Sequence, residues 1–226
     1  MNPKYIYNVI VAAGSGSRFG ASLPKQFCML EDRPVLMHTI ENMQKALPGS
    51  HIILVLNPDF FEYWDEICRK YGFHSPKIVA GGNNRWQSVK NAISQIPHDA
   101  EIITIHDGAR PIVDKAMVCR VINALDNGFG AIPVVPITDS LRQLNKSGSM
   151  PVNRELYRAV QTPQAFHASK LREAYTLPYD SSFTDDASVM SAAGYDDLLI
   201  VDGDSYNIKI THPLDIEIAS IYLRYK

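Results

Sequence analysis

Short runs of apolar and β-branched residues recur along the chain and alternate with segments in which apolar residues follow a helical spacing. The runs cover residues 5–13, 51–56, 77–80, 101–106 and 130–136. Continuous apolar runs of this kind are typical of strands buried on both faces of a sheet. Their alternation with helices predicts an α/β fold, a Rossmann-like doubly wound sheet in which most strands are parallel.

Helices are predicted between most of these strands. In residues 34–47, Leu36, Ile40, Met43 and Leu47 form one apolar stripe, so this segment is expected to pack on the sheet. Turn residues and capping residues set the bounds of the other helices. These cover residues 59–70, 85–96, 114–126, 169–175 and 185–193, with a terminal helix from about 213 and a strand at 207–210.

The pattern changes in residues 137–157, ITDSLRQLNKSGSMPVNRELY. Partial apolar alternation lies on both sides of a Lys-Ser-Gly-Ser turn, which predicts a projecting β-hairpin arm. A two-stranded hairpin alone is only marginally stable in water. We therefore expect the arm to pack on another part of the protein or on another subunit.

The composition narrows the class of protein. The chain has 226 residues and is 46% hydrophobic, enough for one full core, so we predict a single domain over residues 1–226. A formal net charge of −2 gives no support for a nucleic-acid surface. The three cysteines are widely spaced, which excludes a disulfide framework and fits a reducing, cytoplasmic setting. No segment has the apolar length of a membrane span, so we expect a soluble, unprocessed protein.

The first predicted strand ends in a glycine loop, VIVAAGSGSRFG at residues 9–20. Gly14, Gly16 and Gly20 allow backbone N–H groups to approach an anion closely, because glycine has no Cβ. The loop alone is weak evidence, since NAD-binding Rossmann oxidoreductases also place one after their first strand. However, its spacing differs from that of the dinucleotide motif, and the Gly-Lys-Ser/Thr ending of a P-loop is absent.

Two cations accompany this loop, Arg18 within it and Lys25 shortly after it. In nucleotidyl transfer, negative charge grows on the α-phosphate and on the departing pyrophosphate. A forked guanidinium and a mobile ammonium can both bind phosphate oxygens as that charge develops. The loop and its two cations therefore favour nucleotidyl transfer.

Two further motifs stand where ligands bind in open α/β sheets. Gly81, Gly82 and Asn83 precede a predicted helix, whose free N–H groups can bind an anion or a base edge, although a plain turn and helix cap would look the same. Asp107 follows a predicted strand in IITIHDGARP and is a candidate magnesium or ribose ligand. His106 is less persuasive as a base, because a phosphate nucleophile is already ionised near neutral pH.

The C-terminal third supplies groups suited to a second, phosphate-bearing substrate. Taken singly, each also has a capping or surface explanation, and a threonine before two aspartates is typical of a helix start. The residues, found in RELYRAVQTPQAF, TDDAS and NIKIT, are Arg154, Thr162, Asp185, Asp186 and Lys209.

Taken in order, the motifs resemble those of the 2-C-methyl-D-erythritol 4-phosphate cytidylyltransferase family. The resemblance covers residues 9–216 and rests on AAGSGSRFGASLPKQF, GGNNRWQSVKNAI, HDGARP, DSLR, RELYRAVQTPQAF, TDDAS and NIKIT. It implies transfer of CMP from CTP to a small polyol phosphate, 2-C-methyl-D-erythritol 4-phosphate, with release of pyrophosphate, in the non-mevalonate isoprenoid pathway. It also implies Mg²⁺ as cofactor and a homodimer formed through the hairpin arm.

The resemblance also implies roles for individual residues. Arg18 and Lys25 would stabilise the transition state, and Arg154 and Lys209 would hold the acceptor phosphate for attack. Residues on the arm would complete the partner subunit's site. The nucleotide-binding positions are Ala12, Ala13, Gly14, Gly16, Gly81, Gly82, Asn83, Ser88 and Asp107. The substrate-binding positions are Asp107, Arg110, Ser140, Arg154, Thr162 and Lys209, with Asp107 also the metal ligand.

Two positions depart from the family pattern, since Gly108 stands where alanine is usual and DSLR replaces a commoner Asp-Thr-x-Lys. The hydroxyl and the positive charge of that second motif survive. The departures therefore affect only our expectation of the fine geometry around the acceptor.

Three alternative functions remain. A ribitol 5-phosphate cytidylyltransferase shares the glycine loop, TPQ and NIKIT, but usually has Thr-Asp-Ala where this chain has Thr184, Asp185 and Asp186. An NAD-dependent oxidoreductase needs an acidic ribose ligand about 20 residues beyond the loop, where this sequence predicts a helix. A non-catalytic nucleotide-binding protein would have little reason to keep the loop cations and the distal Arg154 and Lys209.

Overall fold

The protein is described by a computed structural model, which covers residues 5–14 and 23–225. Its strands are β1 (Ile6–Ala12), β2 (Met29–Leu30), β3 (Arg33–Pro34), β4 (His51–Leu56), β5 (Lys77–Ala80), β6 (Ile102–Asp107), β7 (Gly130–Pro136), β8 (Arg142–Asn145), β9 (Gly148–Pro151), β10 (Arg158–Val160), β11 (Gln164–His167) and β12 (Leu198–Asp202). Its helices are α1 (Val35–Ala46), α2 (Phe61–Tyr71), α3 (Arg85–Ile93), α4 (Lys115–Ala124), α5 (Ala168–Ala174), α6 (Asp186–Ala192) and α7 (Leu214–Arg224).

Eight strands of the described residues form one mixed sheet. Its centre is parallel, because β1 pairs in parallel with both β4 and β6, and β4 pairs in parallel with β5. β7 and β12 form a second parallel pair. The antiparallel strand β11 joins the two groups by pairing with β6 and with β7, and β10 pairs with the far end of β7.

Helices cover both faces of this sheet. Successive strand side chains point to opposite faces, so Ile6 and Ile10 of β1 enter one core cluster while Val9 enters the other. Helices α1, α2 and α4 pack on the first face, and α3, α5 and α6 pack on the second. This is the doubly wound arrangement that the apolar runs predict. No helix of the described residues is long and apolar enough to cross a membrane.

The structure confirms the five strands predicted from apolar runs and the helices predicted between them. The predicted strand at 207–210 is wrong. In that segment the buried Asn207 side chain donates from Nδ2 to Thr162 O at 2.8 Å, and Ile210 N donates to Ala109 O at 2.9 Å. Isolated hydrogen bonds therefore fix the segment in place of a strand ladder.

The hairpin arm is confirmed as well. Strands β8 and β9 pair with each other in an antiparallel ladder from Arg142 opposite Pro151 to Asn145 opposite Gly148, separately from the main sheet. At the turn, Asn145 Oδ1 accepts a hydrogen bond from Ser147 N at 3.0 Å. The arm is therefore ordered by its own backbone pairing and turn.

Candidate active site

A cleft of ≈ 500 Å³ opens beside the carboxyl ends of β1 and β6, the edge at which open α/β sheets bind ligands. The two strands end side by side, because Val11 pairs with Asp107 in the parallel ladder. The start of α3 and the segment around Lys209 close the cleft from other sides. The wall consists of Val11, Ala12, Ala13, Gly14, Lys25, Gln26, Asn57, Gly82, Asn83, Asn84, Arg85, Ser88, Asp107, Ala109, Lys209 and Thr211.

The end of β1 is held by a residue that the sequence does not single out. Gln26 is buried, and its Nε2 donates to Ala12 O at 2.7 Å and to Gly14 O at 3.2 Å. These bonds fix the backbone where the glycine loop begins and place Lys25 on the wall beside it. The predicted site residues Gly16 and Arg18 lie outside the described residues.

The loop before α3 packs directly against the end of β1. A Cβ added at Gly81 would lie 2.3 Å from Ala13 Cβ, so this close approach requires glycine. Ser88 Oγ fixes the same loop, accepting from Gly82 N at 3.0 Å and donating to Asn84 O at 2.9 Å. Gly82 and Ser88 line the cleft, and Gly81 holds the loop from behind.

Asp107 lies at the centre of the site, with three cations around its carboxylate. Lys209 Nζ is 2.9 Å and Arg110 Nε 3.4 Å from Oδ2, while Arg85 Nε is 3.7 Å from Oδ1. Burial alone would raise the pKa of Asp107, but Arg85, Lys209 and Arg110 outweigh it and hold that pKa well below its ordinary value. The cleft therefore carries a permanent carboxylate in a ring of positive charge.

A buried hydrogen-bond chain supports Asp107 from behind. His106 Nε2 lies 3.0 Å from Arg110 O, which can only accept, so Nε2 carries the proton and Nδ1 is an acceptor. Thr162 Oγ1 donates to that Nδ1 at 2.9 Å and accepts from Asp107 N at 3.0 Å. Burial lowers the pKa of His106 to about 4, so its ring is neutral. His106 orients its neighbours rather than serving as a base.

The same chain extends to the segment that carries Lys209. Asn207 Nδ2 donates to Thr162 O at 2.8 Å, and Asn207 O accepts from Arg110 Nη1 at 2.7 Å. Gln161 Nε2 also reaches Asn207 O, at 3.4 Å. Lys209 therefore stands two residues after a backbone position that Arg110, just beyond β6, and Gln161, in the β10–β11 connection, hold in place.

Arg85, in the first turn of α3, is a site residue that the sequence reasoning missed. It lines the cleft, and its Nη2 lies 2.6 Å from Oδ2 of the buried Asp186. Burial would lower the pKa of Arg85, but the charges of Asp186 and Asp107 outweigh burial and raise that pKa. The one available signal was a cation immediately after the Gly-Gly-Asn-Asn turn.

Besides Gly81, four predicted site residues within the described part of the chain do not line this cleft. Arg110 and Thr162 are buried behind Asp107, where their polar groups bind protein atoms. Ser140 and Arg154 lie on the segment that carries the arm, where Arg154 Nη1 donates to Thr138 O. The described part of the chain also holds no cluster of three or more His, Cys, Asp or Glu side chains suited to a metal ion.

Comparisons with known proteins find similar proteins over nearly the whole chain. A model of the 2-C-methyl-D-erythritol 4-phosphate cytidylyltransferase family matches residues 6–225. A relative of that name from Porphyromonas gingivalis is 41% identical over 218 residues, covering 96% of this chain and 97% of the relative. One from Bacteroides fragilis is 40% identical over 216 residues, covering 95% and 98%. The crystal structure of 4-diphosphocytidyl-2C-methyl-D-erythritol synthase from Anaerococcus prevotii has a TM-score of 0.81 at 27% identity, covering 98% of this chain and 97% of that one.

Proposed function

Because the chain belongs to the 2-C-methyl-D-erythritol 4-phosphate cytidylyltransferase family, we propose that it transfers CMP from CTP to 2-C-methyl-D-erythritol 4-phosphate and releases pyrophosphate. This makes it a nucleotidyltransferase of isoprenoid biosynthesis. One observation supports the activity directly, namely that Lys25 and Lys209 line a single cleft with Asp107 and the start of the glycine loop. Two lysines around one cavity suit a nucleoside triphosphate and a second phosphate ester.

In the mechanism we propose, a phosphate oxygen of the acceptor attacks the α-phosphate of CTP in line. The new P–O bond forms as the bond between the α-phosphorus and the bridging oxygen breaks, and pyrophosphate leaves with that oxygen. Lys25 offsets the charge that grows on the phosphates, with Arg18 as its predicted companion. Lys209 orients the acceptor phosphate. No general base is needed, because the attacking phosphate is already ionised.

We propose Mg²⁺ as the cofactor, with Asp107 as its protein ligand. No described residue hydrogen-bonds to Asp107 Oδ1, and its nearest cation is Arg85 Nε at 3.7 Å. A single carboxylate fits Mg²⁺, which commonly takes its other ligands from substrate phosphates and water. When bound, the ion would neutralise charge on the triphosphate. Turnover should therefore stop in excess EDTA and return when Mg²⁺ is restored.

We further propose a homodimer in which the arm of each subunit completes the other subunit's cleft. Ser140 and Arg154 do not line the cleft of their own chain. Leu144 and Leu156 are each 80% exposed and Met150 is 50% exposed, a concentration of apolar side chains that favours burial against a partner. A dimer would bury these side chains and bring the predicted acceptor-binding residues to a cleft.

We also infer a cytoplasmic location. All three cysteines of the chain are free, which fits a reducing compartment. Burial raises the pKa of the Cys28 thiol and raises that of Cys68 to about 11, so both are poor nucleophiles at neutral pH. These thiols fit structural positions rather than a redox function.

The proposed activity is tested by pyrophosphate release from CTP and Mg²⁺, with 2-C-methyl-D-erythritol 4-phosphate and ribitol 5-phosphate as acceptors in parallel reactions. We expect a strong preference for the first acceptor. A preference for ribitol 5-phosphate would keep the chemistry but change the pathway. Failure to release pyrophosphate with either acceptor would contradict the proposal.

A further inference from the structure

The mechanism above leaves one charged pair of the site unused, Arg85 and Asp186. Arg85 lines the cleft with its side chain 30% exposed, whereas the Asp186 side chain is fully buried at the start of α6. A charge taken out of water is costly unless a partner compensates it closely. The burial of Asp186 therefore distinguishes this pair from an ordinary surface ion pair and points to a specific role.

Both oxygens of the Asp186 carboxylate are fixed. Oδ2 binds Arg85 Nη2 at 2.6 Å, and Oδ1 accepts from Tyr175 Oη at 2.6 Å. The backbone behind Asp186 is fixed too, because Gln164 Oε1 accepts from Ala187 N at 3.0 Å. Asp186 is thus a rigid support that cannot follow Arg85 if the guanidinium moves.

The guanidinium is only partly used by the protein. Its Nη2 binds Asp186, and its Nε lies 3.7 Å from Asp107 Oδ1. Its Nη1 makes no hydrogen bond to any described residue, although a guanidinium presents five donors in a rigid plane. With the side chain open to the cleft, the remaining N–H groups can bind an oxygen of a ligand there.

We propose that Arg85 binds an oxygen of the nucleotide, and that Asp186 is a positioning residue that holds the guanidinium in the cleft wall. This inference rests on the proposed function, which supplies CTP as the nucleotide. Without Asp186, the nearest carboxylate for Arg85 is Asp107, and a move toward it would withdraw the guanidinium from the ligand. The pair with Asp186 therefore keeps the Arg85 guanidinium in the cleft wall, where its contact with Asp107 stays at 3.7 Å.

Equilibrium binding of CTP, followed by calorimetry on the purified full chain, tests this role. Arg85→Gln should weaken CTP binding by at least about tenfold, as expected for losing a charge-assisted hydrogen bond. Asp186→Asn should weaken it less, because Arg85 remains. The double variant should bind CTP no more weakly than Arg85→Gln alone, since Asp186 acts through Arg85.

Two further variants separate this role from general damage to the fold. Glu41→Gln removes another pair of 2.6 Å, with Arg33, whose members do not line the cleft, so CTP binding should not change. Tyr175→Phe keeps the Arg85–Asp186 pair and frees only one carboxylate oxygen. It should weaken CTP binding about two- to threefold, and it serves if Asp186→Asn fails to fold.

The binding data also locate the oxygen that Arg85 contacts. If it belongs to a phosphate, Arg85→Gln will weaken CTP but leave cytidine affinity unchanged, whereas a nucleoside oxygen predicts a loss with both ligands. Equal affinity of wild type and Arg85→Gln for both ligands would overturn the inference, as would additive losses in the double variant. Failure of the wild type to bind CTP would overturn the proposed function itself.

Discussion

The network around Asp107 and the hairpin arm at residues 137–157 are built in opposite ways. Around Asp107, polar side chains such as Thr162 and Asn207 are buried, and their donor groups bond to groups of the same chain. On the arm, apolar side chains such as Leu144 are exposed, and within the described ranges the strands pair only with each other. The network around Asp107 thus buries polar side chains, whereas the arm exposes apolar ones.

This contrast indicates which part of the proposed active site one chain forms alone and which part a second chain would complete. Buried polar networks hold their members rigidly once each group has a partner. We therefore expect residues of one chain to complete the nucleotide side of the cleft. An exposed apolar hairpin gains stability only when something covers it. The acceptor side is the part that we expect a second chain to complete.

Lys25 lies on the side of the cleft that we expect one chain to complete. Lys25→Ala should lower kcat by about a hundredfold or more, because the substitution removes a pre-organised charge from the departing pyrophosphate. CTP affinity should change less. The measurement is steady-state pyrophosphate release, with Lys45→Ala as a control, since Lys45 is an exposed lysine on α1. Unchanged turnover in Lys25→Ala would refute the role of Lys25.

Mixing two inactive variants tests whether the arm acts in the neighbouring subunit. Lys25→Ala and Arg154→Ala should each be nearly inactive, because each removes one half of a shared site. Dissociated and reassociated together, they should recover about a quarter of wild-type turnover, since half of the dimers are mixed and each mixed dimer has one intact site. No recovery would show that Lys25 and Arg154 serve the same chain's cleft.

The buried network is tested by removing one hydroxyl. Thr162→Val should lower the free energy of unfolding by about 1–3 kcal/mol, because Asp107 N and His106 Nδ1 each lose a partner. Thr162→Ser keeps the hydroxyl and should lose less. Urea unfolding measures both, with Thr176→Val as the control, since the exposed Thr176 hydroxyl binds only Glu173 O. Equal stability of all three variants would contradict a structural role for the Thr162 hydroxyl.

The sequence predicts most of this fold, because buried parallel strands reveal themselves as continuous apolar runs. It misses β10, β11 and β12 for a physical reason. β10 is exposed along its length, and β11 and β12 are short strands whose pairing with β7 is set by tertiary contacts. The predicted strand at 207–210 fails for the converse reason, since Asn207 uses its hydrogen bonds on the site and not on a neighbouring strand.

For the candidate site, too, the sequence predicts residues that stand in local motifs and misses those joined only by tertiary contacts. Lys25, Asp107 and Lys209 stand in recognisable motifs, and the structure brings them to one cleft. The pairing of Arg85 with Asp186 joins residues 101 positions apart, so no local pattern could indicate it. The support that Gln26 gives to the end of β1 is equally invisible, because its place in the first motif does not reveal which backbone oxygens its side chain binds.

On the arm, the exposed Leu144 tests whether a second chain covers this hairpin. At protein concentrations where the chain is monomeric, Leu144→Ser should change the free energy of unfolding by no more than about 0.5 kcal/mol, because Leu144 is already exposed. The dimer dissociation constant should rise about tenfold, since a buried leucine contributes to association. Urea unfolding and sedimentation velocity measure the two quantities, and Leu214→Ser, an exposed leucine on α7, should alter neither. A loss of monomer stability would instead mean that Leu144 packs on its own chain, and the acceptor side of the cleft would then need no second subunit.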